Sequence, residues 1–114
     1  MVLKPGDKIH LVVRRNFEGD MRRHFVGVVI EAAEHAVLVT GYAFAYNARI
    51  NQYVRRPEQR IRVVSIVDAR NMINVLPREA NIENVLYKVS SERTLIVTDG
   101  ISFTLNIDEF AFST

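Results

Sequence analysis

Apolar and polar residues alternate with a period of two along most of this chain. Residues 101–107, ISFTLNI, alternate without interruption, and Tyr42, Phe44 and Tyr46 fall on one side of residues 36–46. A period of two places successive side chains on opposite faces of a β-strand, whereas an amphipathic helix needs a period of about 3.6. No window carries a helical stripe longer than about two turns. The alternation therefore predicts an all-β protein.

Breaks in the alternation divide the chain into predicted strands, which cover residues 8–15, 23–33, 36–46, 60–68, 71–76, 85–90, 94–98 and 101–107. Residues 47–59 are polar and contain Pro57, which lacks the N–H that a central strand needs. We therefore expect a loop there, with an irregular edge strand near residues 50–54. Pro77 opens residues 77–84, where we expect a single helical turn.

Three segments carry sharper local predictions. Asp99-Gly100 lies between two alternating runs, which predicts a two-residue type I′ turn because glycine adopts positive φ without steric cost. Residues 60–68 are apolar on both faces, which predicts a strand buried on both sides. Phe110 and Phe112 share one side of the terminal segment. We expect them to close the core, and the alternative is an exposed patch that docks on a second subunit.

The composition is that of one ordinary globular domain. The chain has 114 residues and a mass of 13.1 kDa, with 48% hydrophobic residues. We expect a single domain in which residues 77–114 form a short turn and a β-meander that packs on residues 1–76. Cysteine is absent, which excludes disulfides and thiolate chemistry. The longest apolar runs are far shorter than the roughly 20 residues of a membrane span, so we expect a cytoplasmic protein without membrane association.

Two resemblances bear on the fold and on a ligand. Residues 25–29, FVGVV, followed by residues 36–39, AVLV, resemble the opening strands of small SH3-like and Sm-like β-barrels, with Gly27 at the bend of a long strand. This resemblance, over residues 8–67, implies a small barrel that the C-terminal β-meander extends. Arg56 and Arg60 match the Arg-x-x-x-Arg spacing of the PilZ barrel, whose arginines bind cyclic diguanylate. The second part of that motif is missing from residues 65–70, SIVDAR.

Positive charge is concentrated in the first half of the chain. Residues 1–62 carry eleven Lys or Arg against six Asp or Glu, a net charge of +5, whereas residues 63–114 carry four against seven, a net charge of −3. Twelve of the fifteen cationic residues are arginine, whose planar guanidinium suits phosphate. Arginines interleave with tyrosines in one loop, and the candidate ligand-binding residues are Tyr46, Arg49, Tyr53, Arg55, Arg56, Arg60 and Arg62.

Two interpretations of this loop are open. Cationic side chains beside aromatic rings are the groups that hold single-stranded nucleic acid, because phosphates pair with the cations and bases stack on the rings. Alternatively the tyrosines pack on the rim of the sheet and the arginines form a solvated face with Glu58. The pairs Arg14-Arg15 and Arg22-Arg23 fall at one hairpin end, where we expect them to prevent association between sheet edges. The alternative is that they add to the cationic patch, which requires this end to face residues 47–59.

No constellation of residues indicates catalysis. The histidines, His10, His24 and His35, lack the spacing of a metal site, and we expect each on the surface or facing out from a strand. There is no glycine-rich phosphate loop or nucleophile elbow. We therefore expect a binding or assembly module without a cofactor, which acts on a protein partner or by self-association through an open strand edge. The alternative is binding of single-stranded nucleic acid, or of a cyclic dinucleotide, by residues 46–62.

Overall fold

The computed structural model describes residues 2–17, 19–20 and 22–108. Phe110 and Phe112 lie outside these residues. The described strands are β1 (Lys8–Val13), β2 (Arg23–Ala32), β3 (Ala36–Asn47), β4 (Gln52–Arg55), β5 (Arg60–Ser65), β6 (Asn71–Leu76), β7 (Leu86–Val89), β8 (Leu95–Thr98) and β9 (Thr104–Asn106). One 3₁₀ turn, Ile82–Asn84, lies within the segment where a helical turn is expected. None of the helical segments found here is long and apolar enough to span a membrane.

The strands form two antiparallel sheets, as an all-β chain requires. The larger sheet has the order β4-β3-β2-β1-β6, and β5 pairs with β3 beside β4. Residues 36–41 of β3 pair with β5 and residues 44–47 pair with β4, because the polar run containing Pro57 divides this edge into two short strands. Among the described residues no pairing joins β6 to β4 or β5. The sheet is therefore open, and the closed barrel expected from the sequence is not found.

Two glycines let the central strands of this sheet approach closely. Gly27 in β2 pairs directly with Gly41 in β3. A Cβ added at Gly27 would overlap the Thr40 carbonyl oxygen, and one added at Gly41 would overlap the Val26 carbonyl oxygen. Gly27 is the residue that the sequence marks as special, whereas the need for glycine at position 41 follows only from the pairing.

Each face of the larger sheet carries a hydrophobic core. One face carries Ile9, Phe25 and Val39, which form a core together with Val64 from the edge strand β5. The opposite face packs on the smaller sheet, and this second core contains Val12, Val26, Tyr42, Phe44, Val85, Val97 and Ile107. The smaller sheet has the order β7-β8-β9, which is the expected C-terminal meander.

Strand β5 is exposed, contrary to the prediction of burial on both sides. Ile61 is 68% exposed and Val63 is 74% exposed. They pair with Thr40 and Leu38, on the face of the sheet that carries Tyr42. The smaller sheet covers the Tyr42 end of that face, and neither Ile61 nor Val63 belongs to the core it forms. Sequence apolarity does not distinguish a covered strand from an edge strand.

The Asp99-Gly100 turn is also longer than predicted. β8 ends at Thr98 and β9 begins at its pairing partner Thr104, so the connection is a five-residue loop rather than a two-residue turn. The Asp99 carboxylate closes it by accepting hydrogen bonds from the backbone N–H groups of Ile101 and Ser102 at 3.0 and 2.8 Å. Burial acts to raise the pKa of Asp99, but these hydrogen bonds and the Ser102 hydroxyl prevail and hold the pKa well below its usual range.

The paired glycines make a stability prediction. Gly41→Ala should lower the free energy of unfolding by about 3 kcal/mol, the upper end of what overpacking costs, because the overlapping atom is a backbone oxygen that side-chain rotation cannot relieve. Urea unfolding followed by circular dichroism measures the change. Gly19→Ala is the matched control, since only the Phe17 ring lies near that position, at 3.9 Å. Equal urea midpoints for the two variants would contradict the prediction.

Candidate functional site

A buried polar cluster lies where the two sheets meet. His10 in β1 and His24 in β2 are 0% and 2% exposed. The hydroxyl of Tyr87, from β7, lies 2.9 Å from His10 Nε2 and 2.7 Å from His24 Nδ1. Asn74 Nδ2 lies 3.2 Å from the other nitrogen of His10. The prediction that His10 and His24 lie on the surface or face outward is therefore wrong, because a partner 77 and 63 residues further along the chain covers them.

The donors and acceptors of this cluster follow from the amide of Asn74. An amide nitrogen can only donate, so His10 Nδ1 accepts and His10 Nε2 carries the proton that is donated to the Tyr87 oxygen. The Tyr87 hydroxyl then donates its own proton to His24 Nδ1. Burial lowers the pKa of His10 to about 4, and burial with the neighbouring His10 lowers the pKa of His24 to about 3. Both rings are neutral near pH 7.

The cluster also fixes an aromatic wall. The Tyr87 ring stacks on Tyr53 at 4.7 Å between centroids, and Tyr53 stacks on His24 at 4.7 Å. Tyr46, which pairs with Tyr53 across β3 and β4, meets the Tyr53 ring edge-on at 5.4 Å. The three tyrosine rings border a cleft of about 640 Å³, here named the tyrosine cleft. Its lining residues are Arg22, Tyr46, Asn51, Gln52, Tyr53, Tyr87, Lys88, Val89, Arg93, Leu95 and Asp108.

Four arginines converge on the opposite face of the larger sheet. They surround a shallow depression of about 260 Å³, here named the arginine depression, which is lined by Arg23, Ala43, Phe44, Ala45, Arg56, Arg60 and Arg62. The Arg62 guanidinium lies 5.8 Å from the centroid of the Phe25 ring. Arg60 forms an ion pair with Glu58 at 2.6 Å, which is the pairing that the solvated-face interpretation expects.

A third hollow lies next to both the tyrosine cleft and the arginine depression. This hairpin hollow of about 330 Å³ follows the end of the β3–β4 hairpin and is lined by Ala45, Tyr46, Asn47, Ala48, Arg49, Val54 and Arg56. It shares Tyr46 with the tyrosine cleft and Ala45 and Arg56 with the arginine depression. Ala45 and Tyr46 point to opposite faces as neighbours on a strand. The three hollows therefore lie side by side around the hairpin end, and together they are here named the binding band.

The structure brings most of the sequence-predicted site together on this band. Tyr46, Arg49, Tyr53, Arg56, Arg60 and Arg62 line it. Arg55 does not, because its guanidinium lies over the Tyr42 ring at 4.7 Å and donates to the Glu83 carbonyl oxygen at 2.5 Å.

Sequence reasoning missed Lys88 and Arg93, which come from β7 and the turn after it and line the tyrosine cleft. Arg22, just before β2, and Arg23, the first residue of β2, also line the band, as expected if their hairpin end faces the loop. The adjacent pair Arg22-Arg23 was the available signal, because alternation sends its two side chains to opposite faces. Which hollow each would reach depends on the β2–β3 pairing, which places Arg23 opposite Ala45.

Comparisons with known proteins found no match among protein-family models, curated protein sequences or solved structures. Within residues 2–17, 19–20 and 22–108 no group of three or more His, Asp or Glu side chains is arranged to hold a metal ion. The candidate site therefore rests on its own geometry.

The buried histidines predict a pH dependence of stability. Their pKa values are lowered in the folded protein, so between about pH 6.5 and pH 4 the unfolded chain binds more protons and the free energy of unfolding falls as pH falls. His10 alone accounts for about 3 kcal/mol across this window. Urea unfolding at a series of pH values measures the effect.

Matched variants separate the buried histidines from other groups. His10→Gln places an amide nitrogen near the position of Nε2, and His24→Asn places an amide oxygen near the position of Nδ1, so each keeps a hydrogen-bonding atom without titrating. The double variant should lose most of the pH dependence above pH 4. His35→Gln is the control, since His35 is exposed, and it should keep that dependence. A double variant with the unchanged pH profile would show that other groups cause it.

Proposed function

We propose that this protein binds single-stranded nucleic acid along the binding band. The observation that carries the proposal is that the tyrosine cleft, the hairpin hollow and the arginine depression adjoin one another, since neighbouring hollows share lining residues. Proteins that hold single strands combine a cationic groove for the phosphates with aromatic side chains for the bases. The band provides these two elements in one path.

The charge of the arginine depression supports a polyanionic ligand. Among the described residues no carboxylate lies within 4.0 Å of the guanidinium groups of Arg23, Arg56 or Arg62, and only Arg60 has an acidic partner there. Like charges that converge without neutralisation repel one another, and a phosphate backbone relieves that repulsion. The modest net charge of +2 is compatible with binding because the cations are concentrated on one path.

The size of the arginine depression favours single-stranded nucleic acid over a cyclic dinucleotide as its ligand. Arg56 and Arg60, which carry the PilZ-like spacing, both line it. Its volume of about 260 Å³ is below the roughly 300–1,000 Å³ of sites that enclose a small ligand. The phosphate backbone of a single-stranded nucleic acid does not have to be enclosed by the depression. It needs only to pass over it and continue along the neighbouring hollows.

A second candidate function is assembly through the edge strand β5. Its supporting observation is the exposure of Ile61 and Val63, 68% and 74%, on a strand whose sole pairing partner among the described residues is β3. An edge strand with apolar side chains is a template for pairing with another chain. This candidate keeps the SH3-like resemblance, because the ten-residue β2 with Gly27 and the apolar β3 that follows it are the features that suggested such a module.

The nucleic-acid proposal predicts a specific change in salt dependence. A fluorescent random single-stranded DNA or RNA should bind with an affinity that falls as salt rises, because counterions are released from the phosphates. Arg56→Ala combined with Arg62→Ala should weaken binding and lower the slope of log K against log salt by about 1.4, since each lost phosphate contact on a single strand contributes about 0.7. Fluorescence anisotropy across a salt series measures both quantities.

A charge-matched variant is the control for this experiment. Lys4→Ala combined with Arg78→Ala removes the same charge from exposed positions outside the band. It should leave the slope unchanged. Equal slopes for the two double variants, or no binding at low salt, would refute nucleic-acid binding along the band.

The assembly candidate predicts the opposite salt response. A dimer formed through Ile61 and Val63 should persist at high salt, because apolar contacts release few counterions, and Val63→Lys should dissociate it. Sedimentation equilibrium of both proteins at low and high salt measures the association. Val67→Lys, at an exposed position outside β5, is the control, and a monomeric unmodified protein would rule out this candidate.

A further inference from the structure

We propose that the tyrosine cleft is a nucleotide pocket, which accepts a planar heteroaromatic ring that carries a phosphate. This inference rests on the proposed function, because it names the part of the ligand that each section of the binding band contacts. In this division the arginine depression holds only phosphates, and the tyrosine cleft holds a complete nucleotide.

The cleft has the size and the lining that such a ligand requires. Its volume of about 640 Å³ lies within the roughly 300–1,000 Å³ of small-ligand sites. Tyr46, Tyr53 and Tyr87 line it, and because Tyr53 is buried the half-buried rings of Tyr46 and Tyr87 offer the aromatic surface, which holds any base since every base has a π-face. The cleft is thus much larger than the arginine depression and is the aromatic part of the band.

The wall is held in place before a ligand arrives. The hydrogen bonds from His10 and to His24 fix the Tyr87 hydroxyl, and the Tyr53 ring packs against both Tyr87 and His24, which also contact each other. Ordering these rings therefore costs little when a ligand binds, which favours affinity for a rigid planar group.

Backbone strain is concentrated at the same cleft. Within the described residues the non-glycine residues with positive φ are Asn51 at 53° and Arg93 at 63°, and both line the cleft. Asn51 ends the turn between β3 and β4, whereas Arg93 lies in the turn between β7 and β8. The left-handed conformation is unfavourable for a residue such as arginine, and such strain occurs preferentially at ligand sites. Two turns from separate sheets thus present strained residues to one space.

The polar rim of the cleft fits a phosphate and a heterocycle edge. Arg22, Lys88 and Arg93 supply positive charge, and the Arg22 guanidinium lies 4.8 Å from the centroid of the Tyr46 ring. The acidic residue in the lining is Asp108, whose Oδ1 accepts a hydrogen bond from the Leu95 backbone N–H at 3.0 Å.

Two amides complete this rim. Asn51 and Gln52 line the cleft and carry both donors and acceptors, the groups that bind the edge of a base. The Asn51 side-chain oxygen accepts a hydrogen bond from the Tyr46 hydroxyl, which leaves its amide nitrogen available to a ligand.

The tyrosines themselves report on occupancy. The chain has no tryptophan and four tyrosines, of which Tyr46, Tyr53 and Tyr87 line the cleft. Uridine 5′-monophosphate should therefore quench the intrinsic fluorescence at lower concentrations than uridine or ribose 5-phosphate, since each of these lacks one half of the ligand. Titration of free N-acetyltyrosinamide with the same compounds corrects for their absorption.

Two variants test the pocket without changing the buried cluster of His10, His24 and Tyr87. Arg93→Asn removes a rim charge and tolerates positive φ, and Tyr46→Leu removes an aromatic face while keeping bulk. Each should weaken binding of uridine monophosphate by about tenfold, the ratio expected for losing one charged hydrogen bond or one stacked base. Lys4→Ala with Arg78→Ala should leave mononucleotide binding unchanged, because both residues lie outside the binding band.

The outcomes distinguish failure of the pocket from failure of the band. No quenching by uridine monophosphate, together with salt-dependent binding of single strands, would overturn the pocket and leave the band intact. Quenching that is equal for uridine monophosphate and ribose 5-phosphate would also overturn it. Quenching by the mononucleotide without binding of single strands would support a pocket for a free nucleotide and overturn the band.

Discussion

The buried hydroxyl of Tyr87 is the contact on which this architecture depends. It accepts a hydrogen bond from His10 and donates one to His24, so two strands of the larger sheet are tied to the first strand of the smaller one. Buried polar groups are costly when they lack partners, and these three are compatible with the core only in this arrangement. The relative position of the two sheets is therefore set by directional bonds as well as by apolar packing.

The binding surface is a consequence of that junction. The ring of Tyr87 continues the stack through Tyr53, and both rings line the tyrosine cleft. A shift of β7 would remove the wall of the tyrosine cleft and leave His10 and His24 without this partner. Stability and the shape of the candidate site thus share one set of interactions, which is why the same residues carry a pH prediction and a binding proposal.

The hairpin of β3 and β4 distributes the chemistry of the chain between two faces. Alternation sends Tyr46 to the face that meets the smaller sheet and Ala45 to the opposite face, where Arg56, Arg60 and Arg62 gather. Residues 46–62 interleave arginines and tyrosines in the sequence. In the fold the tyrosines lie on one face of the larger sheet and most of the arginines on the other, on either side of the β3–β4 hairpin. Arg55 is separated from the other arginines for the same reason, since it lies over Tyr42.

Alternation by itself determined the all-β class, the bounds of β6 and the C-terminal meander, because side-chain direction along a strand is a local property. The interleaving of arginines with tyrosines in residues 46–62 selected six of the residues that line the binding band. The open sheet, the exposure of β5, the need for glycine at position 41 and the burial of His10 and His24 were decided by tertiary structure. Each depends on which distant strand lies beside or above a residue, and a single sequence carries no direct signal of that pairing.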